Sequence, residues 1–64
     1  MYSNLRAEVV RKGLKISDLA KEIGLTNTGM SQRINGKIRF TFDEAKQIKD
    51  ALGVDMTLEE LFEK

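Results

Sequence analysis

Apolar residues recur every three or four positions along the chain, which is the spacing of helices that bury one face. Three such stripes lie in the first half of the chain, and they predict helices over roughly residues 4–12, 16–23 and 26–35. The stripe residues are, in chain order, Leu5, Val9, Val10, Leu19, Ala20, Ile23, Met30 and Ile34. A glycine follows each segment, where a helix C-terminus favours one. We therefore expect three short amphipathic helices.

Two further helices are predicted from their start signals. Thr41 and Glu44 have the spacing of a capping box, in which the threonine oxygen and the glutamate carboxylate each accept a hydrogen bond from a free backbone N–H. Thr57 and Glu60 repeat this spacing. The expected buried residues of these helices are Ala45, Ile48, Leu52, Leu58, Leu61 and Phe62, with Met56 placed for a hydrophobic staple onto Leu61.

The segment after the third helix contains a conflicting signal. Asn35-Gly36 is also a favoured hairpin turn, and Ile38, Phe40 and Phe42 alternate with Arg39 and Thr41 as in a half-buried strand. A hairpin over about residues 32–40 would give a helical protein with a wing. We favour the helical ending because the strand before the turn would be short and polar. Phe40 and Phe42 are then expected to complete the core.

Residues 16–37 have the organisation of two short helices joined by a tight turn. Ala20 provides a small residue, Gly24 a turn residue and Met30 a buried apolar residue, where a helix-turn-helix unit requires them. The second helix of such a unit enters the major groove of DNA. The segment therefore predicts a DNA-binding motif.

Composition narrows the classes of function. The 64 residues predict one domain, 1–64, and the absence of Cys and His excludes disulfides, thiolate zinc sites and histidine metal sites. The acidic residues do not have the spacing of a calcium loop, and Ser31 has no histidine base, so we expect no metal, no cofactor and no enzymatic activity. With no apolar run long enough for a membrane span and no signal peptide, we expect a soluble cytoplasmic protein.

The net charge of +1 conceals an asymmetry. Residues 1–40 carry eight Lys and Arg against three Asp and Glu, a net +5, whereas residues 41–64 carry three against seven, a net −4. A polyanion would be attracted to the first part and repelled by the second. The positive charge thus coincides with the predicted helix-turn-helix.

These features resemble the phage-repressor and Cro family of helix-turn-helix proteins, also called the XRE family. The residues that carry the resemblance to its core are Gly13-Leu14, Leu19-Ala20, Ile23-Gly24-Leu25, Met30-Ser31 and Asn35-Gly36-Lys37. Those that match a subset with a phenylalanine and an acidic fourth helix are Phe40-Thr41, Asp43-Glu44-Ala45, Ile48, Leu52-Gly53-Val54 and Leu58-Glu59-Glu60-Leu61-Phe62. The resemblance implies an all-α, compact, five-helix, repressor-like domain with its helix-turn-helix at helices 2 and 3.

The resemblance also implies sequence-specific binding of double-stranded DNA, for transcriptional control, with the third helix in the major groove. The residues expected to read base edges are Asn27, Thr28, Ser31 and Gln32, and Gly29 would let the backbone approach closely. The residues expected to contact the DNA backbone are Lys15, Thr26, Arg33, Asn35, Lys37 and Arg39. We expect a homodimer on DNA because one small helical module reads few bases, and no small-molecule ligand is evident.

The chain departs from the family pattern at two positions. Ile16 stands where many members have a glutamine that contacts a phosphate, so only backbone amides remain there for that role. Arg33 stands at a position that is usually apolar, and Ile34 supplies the buried contact with Met30 instead. Arg33 is then expected to be free to reach DNA.

Two other functions remain open at this level. An antitoxin-like or phage accessory module would use the same fold to bind a protein, with the acidic second part facing a basic partner. A winged, excisionase-like protein would bend DNA as an architectural factor, and it requires strands near residues 32–40.

Overall fold

The computed structural model describes residues 2–64, which form five helices and contain no strand. The helices are α1 (Ser3–Arg11), α2 (Ile16–Glu22), α3 (Asn27–Ile34), α4 (Phe42–Leu52) and α5 (Leu58–Leu61). The all-α, five-helix prediction is confirmed, and each helix lies within a few residues of its predicted position.

The two predicted capping boxes start α4 and α5. The Thr41 N–H donates to Glu44 Oε1 at 3.0 Å, and the Glu44 N–H donates to Thr41 Oγ1 at 3.1 Å. Thr57 and Glu60 make the same pair of bonds at 3.0 and 3.1 Å. Because these bonds satisfy amides that a helix start leaves free, the sequence fixes both starting points locally.

The segment after α3 is a turn, so the winged alternative is wrong for this chain. Gly36 has φ of 84°, its N–H donates to the Arg33 carbonyl at 3.1 Å, and the Lys37 N–H donates to the Gln32 carbonyl at 2.9 Å. These two bonds form a Schellman motif, which closes a helix rather than opening a hairpin.

The core consists of apolar residues from all five helices and the flanking segments. Its buried members are Tyr2, Leu5, Val9, Leu19, Ala20, Met30, Ile34, Ile48, Leu52, Val54 and Leu61. The predicted staple residue Met56 packs against this cluster, as do Phe40 and Phe62. Asn4 Nδ2 donates a hydrogen bond of 2.8 Å to the Glu60 carbonyl, which links α1 to α5.

Two apolar residues expected in the core lie outside it. Val10 is 75% exposed, and Phe42 is 71% exposed. Val10 lies five residues after Leu5, which places it about 140° away around α1. Phe42 lies six residues before Ile48, about 120° away around α4. Both therefore point away from the buried faces of their helices.

Tyr2, rather than Phe42, joins Phe40 and Phe62 in the aromatic part of the core. It is only 4% exposed and packs edge-on against Phe40 and Phe62, with ring centroids 5.4 and 6.0 Å apart. The rings of Phe40 and Phe62 are 5.1 Å apart in the same arrangement. This ring cluster closes the core where α1, α5 and the segment before α4 meet.

Candidate nucleic-acid interface

Helices α2 and α3 pack against each other and are joined by residues 23–26. Leu19, Ala20 and Met30 are completely buried between these helices and the rest of the core. Gly24 has φ of 76°, a backbone conformation that side chains with a Cβ avoid, and it therefore permits the turn. The buried face fixes which side of α3 is left to solvent.

The outer side of α3 and the turn that follows it form a shallow groove of about 410 Å³. Its lining residues are Asn27, Thr28, Ser31, Gln32, Asn35 and Lys37. These include every residue that the sequence assigned to base reading, together with two assigned to the DNA backbone. We call this surface the α3 groove. It holds amides, hydroxyls and one ammonium group, which are hydrogen-bonding groups suited to base edges and phosphates.

Both ends of α3 are held by local bonds that position the groove. At the start, the Gly29 N–H donates to Thr26 Oγ1 at 3.0 Å, so Thr26 acts as the N-cap. At the end, the Schellman turn places Lys37 beside the helix C-terminus, where a positive charge is favoured. Asn35 Nδ2 lies 3.5 Å from Ser31 Oγ along the same side.

Arg33 is engaged inside the protein, and the expected free guanidinium is not observed. Its Nε donates to Glu44 Oε1 at 3.0 Å and its Nη1 donates to the Gly29 carbonyl at 2.9 Å. The side chain is 17% exposed. The expectation was wrong because Glu44, eleven positions away in the sequence, comes within reach of Arg33 only in the folded chain. The ion pair connects α3 to the first turn of α4.

The same arrangement affects Glu44 and Gly29. Partial burial acts to raise the pKa of Glu44, but hydrogen bonds from the Thr41 N–H and from Arg33 outweigh it and hold the pKa below its usual value. A Cβ on Gly29 would lie 3.1 Å from Thr26 Oγ1 and 3.3 Å from Arg33 Nη1. Gly29 therefore leaves room for the cap and the ion pair, a role that the sequence did not indicate.

Lys15 and Arg39 lie outside the α3 groove. The Lys15 N–H donates to Asp18 Oδ2 at 3.0 Å, so one backbone amide at the start of α2 is already hydrogen-bonded to a carboxylate. The backbone amides that were expected to bind a phosphate beside Ile16 are thus capped in part by an anion. Arg39 is exposed in the segment between α3 and α4 and lines a second groove, which contains Phe42.

Residues 2–64 contain no group of three acidic side chains that could hold a metal ion. None of the helices in this part of the chain is long and apolar enough to cross a membrane.

The fold and the α3 groove agree with a comparison of the sequence with known protein families. A family model described as helix-turn-helix matches residues 5–62. Comparisons with curated proteins and with solved structures found no match. The match covers nearly the whole chain and includes α2, the turn and α3. The chain therefore belongs to the helix-turn-helix family of DNA-binding domains.

Proposed function

We propose that this protein binds double-stranded DNA in a sequence-specific manner to regulate transcription, with α3 in the major groove. The observation that carries the proposal is the α3 groove, in which six polar side chains of a helix-turn-helix lie together on the solvent side. A major groove admits one helix and presents a distinct pattern of donors and acceptors for each base pair.

The proposed base contacts follow from the chemistry of the groove residues. The amides of Asn27 and Gln32 are suited to paired hydrogen bonds with adenine, and the methyl group of Thr28 is suited to the methyl group of thymine. Ser31 lies between them on the same helix face and donates or accepts. These four residues are the proposed readers of sequence.

The proposed backbone contacts surround these readers. Asn35 and Lys37 lie in the α3 groove, and Thr26 precedes it. Lys15 and Arg39 are exposed on either side in the sequence. Arg33 contributes through its ion pair with Glu44, which links α3 to α4, and a direct phosphate contact by Arg33 would require that pair to open.

We infer a regulator of the phage or bacterial repressor/Cro type that acts in the cytoplasm and is not an enzyme. The resemblance of the sequence to that family supports this assignment. Two copies on half-sites about 34–36 Å apart would supply the specificity that one short recognition helix lacks.

An amide NMR titration with mixed-sequence duplex DNA at low salt tests the proposal. We expect shifts concentrated in residues 26–39 that reverse when salt is added, because phosphate contacts weaken as salt rises. If residues 26–39 stay unchanged at high DNA concentration, the DNA proposal is wrong. Co-purification of a protein partner would then favour the antitoxin-like alternative.

A further inference from the structure

Asn35-Gly36, at the end of α3, has a reactivity that DNA recognition does not use. The backbone nitrogen after an asparagine can attack the carboxamide carbon of that asparagine and expel ammonia, which closes a five-membered succinimide ring. Glycine in the next position favours this reaction because it has no Cβ to crowd the attacking nitrogen. Of the three asparagines in the chain, Asn35 is the one that glycine follows.

The structure leaves the side chain of Asn35 accessible to this reaction. Asn35 and Gly36 are both exposed. Asn35 Nδ2 lies 3.5 Å from Ser31 Oγ, which is a long hydrogen bond and therefore a weak restraint on the carboxamide. Gly36 has φ of 84°, so the turn requires at this position the same residue that favours the attack.

The turn that ends α3 restrains the attacking nitrogen. The Gly36 N–H donates to the Arg33 carbonyl at 3.1 Å, and the Lys37 N–H donates to the Gln32 carbonyl at 2.9 Å. The Gly36 nitrogen attacks after it has lost the proton that the first bond holds, so the turn must open before the ring can close. Hydrogen bonds at an exposed helix end open by local fluctuation at low cost. The turn therefore slows the reaction without abolishing it.

We propose that Asn35 is a site of spontaneous deamidation whose rate is set by opening of the turn after α3, and whose product weakens DNA binding by the α3 groove. Water adds to either carbonyl carbon of the succinimide and breaks the bond from that carbon to the ring nitrogen, which yields aspartate or isoaspartate. Overall, one water is consumed and one ammonia is released, and no oxidant or reductant takes part.

Either product changes the charge of the α3 groove. Lys37 is the one charged residue among the six that line it, so a carboxylate at position 35 cancels its positive charge. The carboxylate also lies at the C-terminal end of α3, where the helix dipole disfavours an anion. Isoaspartate additionally adds one carbon to the backbone, which disrupts the two hydrogen bonds of the turn. The loss of DNA binding rests on the proposed function, whereas deamidation does not.

Peptide mapping by mass spectrometry during incubation of the full chain at neutral pH tests the site. A lysine-specific protease releases residues 22–37, which contain both Asn35 and Asn27, and Asn27 is followed by the β-branched Thr28. The two asparagines of α3 are thus compared within one peptide. We expect conversion at Asn35 and none at Asn27 over the same time, and equal conversion at both positions would overturn the site.

Guanidinium chloride tests the role of the turn. We expect the unfolded chain to convert at Asn35 about 10-fold faster than the folded protein, because the hydrogen bond of the turn is then absent. Below the unfolding transition the rate should stay constant, since opening a turn exposes little surface. A rate that rises with the unfolded fraction would assign the reaction to global unfolding and overturn the role of the turn. Absence of conversion in the folded protein, once the unfolded chain has converted completely, would overturn the site.

Fluorescence anisotropy with a labelled duplex tests the effect on DNA binding. Asn35→Asp reproduces the aspartate product, and Gln47→Glu on exposed α4 is the matched control because it makes the same change from amide to carboxylate. We expect Asn35→Asp to lower the affinity about 10-fold, because its carboxylate meets the phosphates, and Gln47→Glu to change it less than about 2-fold. Equal losses in the two variants would overturn the effect assigned to position 35.

Asn35→Gln separates deamidation at this site from other losses of activity during incubation. Its longer side chain keeps the amide but closes a six-membered ring, which forms more slowly. We expect the affinity of the wild type to fall as Asn35 converts, and that of Asn35→Gln to stay at its own starting value. A parallel decline in both would overturn the effect. A wild type that binds no duplex before incubation would overturn the proposed function, whereas mapped conversion of Asn35 would still establish the modification.

Discussion

Gln32 is the residue whose side chain gives the most direct test of base reading. It lines the α3 groove, and its backbone carbonyl accepts the Lys37 N–H at the helix end. Only the side chain changes in Gln32→Ala, so the turn is kept. We expect this variant to lose about 1–3 kcal/mol of binding free energy on the preferred duplex and to relax selection at one position.

Competition binding with single-base variants of the selected duplex measures both effects. The matched control is Gln47→Ala, which removes the same side chain from an exposed position on α4. Equal losses on every duplex would reject base reading by Gln32. A loss in the Gln47 variant would point to a general effect of removing an amide.

At the scale of the elements, the ion pair between Arg33 and Glu44 joins α3 to α4 and produces a dependence on pH. The pKa of Glu44 lies below its usual value of 4.5, so folding favours the ionised carboxylate. The resulting stabilisation is complete above that usual value and is lost as the pH falls through the lowered pKa. Glu44→Gln should therefore cost about 1 kcal/mol at pH 7 and less at low pH.

Urea unfolding of the wild type and Glu44→Gln between pH 3 and 7 checks this expectation, with Glu22→Gln on exposed α2 surface as the control. The two curves of unfolding free energy should converge as the pH falls. A constant gap between wild type and Glu44→Gln would mean that ionisation of Glu44 contributes nothing.

The sequence predicts elements whose signals are local, and it fails where a contact depends on packing. Thr41 and Glu44 are three positions apart, so their capping box can be identified from the sequence, and it is present in the structure. Arg33 and Glu44 are on different helices, and nothing in the spacing of one helix indicates their bond.

The solvent-facing side of α3, which lines the α3 groove, was largely predictable from the sequence. Helical periodicity separates its polar positions from the buried ones. The exposure of Phe42 was not predicted. Hydrophobic character indicates burial on average, and the expectation for Phe42 rested on it, whereas the position of Phe42 on α4 turns its ring to solvent. The contacts of Tyr2 with Phe40 and Phe62 join residues that are far apart in the sequence, so no local pattern indicates them.

At the scale of the whole molecule, the separation of charge determines how the protein is oriented on a polyanion. Lys37 belongs to the part of net charge +5 and lines the α3 groove, whereas Lys46 is exposed on α4 in the part of net charge −4. If the positive part faces DNA, then of these two lysines only Lys37 contacts a phosphate and displaces a counterion from the DNA. A plot of log K against log salt has a slope near −0.9 per phosphate contact, so Lys37→Ala should reduce its magnitude by about 0.9.

Lys46→Ala removes the same charge from the net total, so it is the control for a non-specific effect. We expect it to leave the slope unchanged, since α4 would be turned away from the phosphates. Fluorescence anisotropy with a labelled duplex over a series of salt concentrations measures both slopes. Equal changes for the two variants would mean that net charge, rather than the position of Lys37 at the end of α3, controls binding, and the proposed orientation would then be wrong.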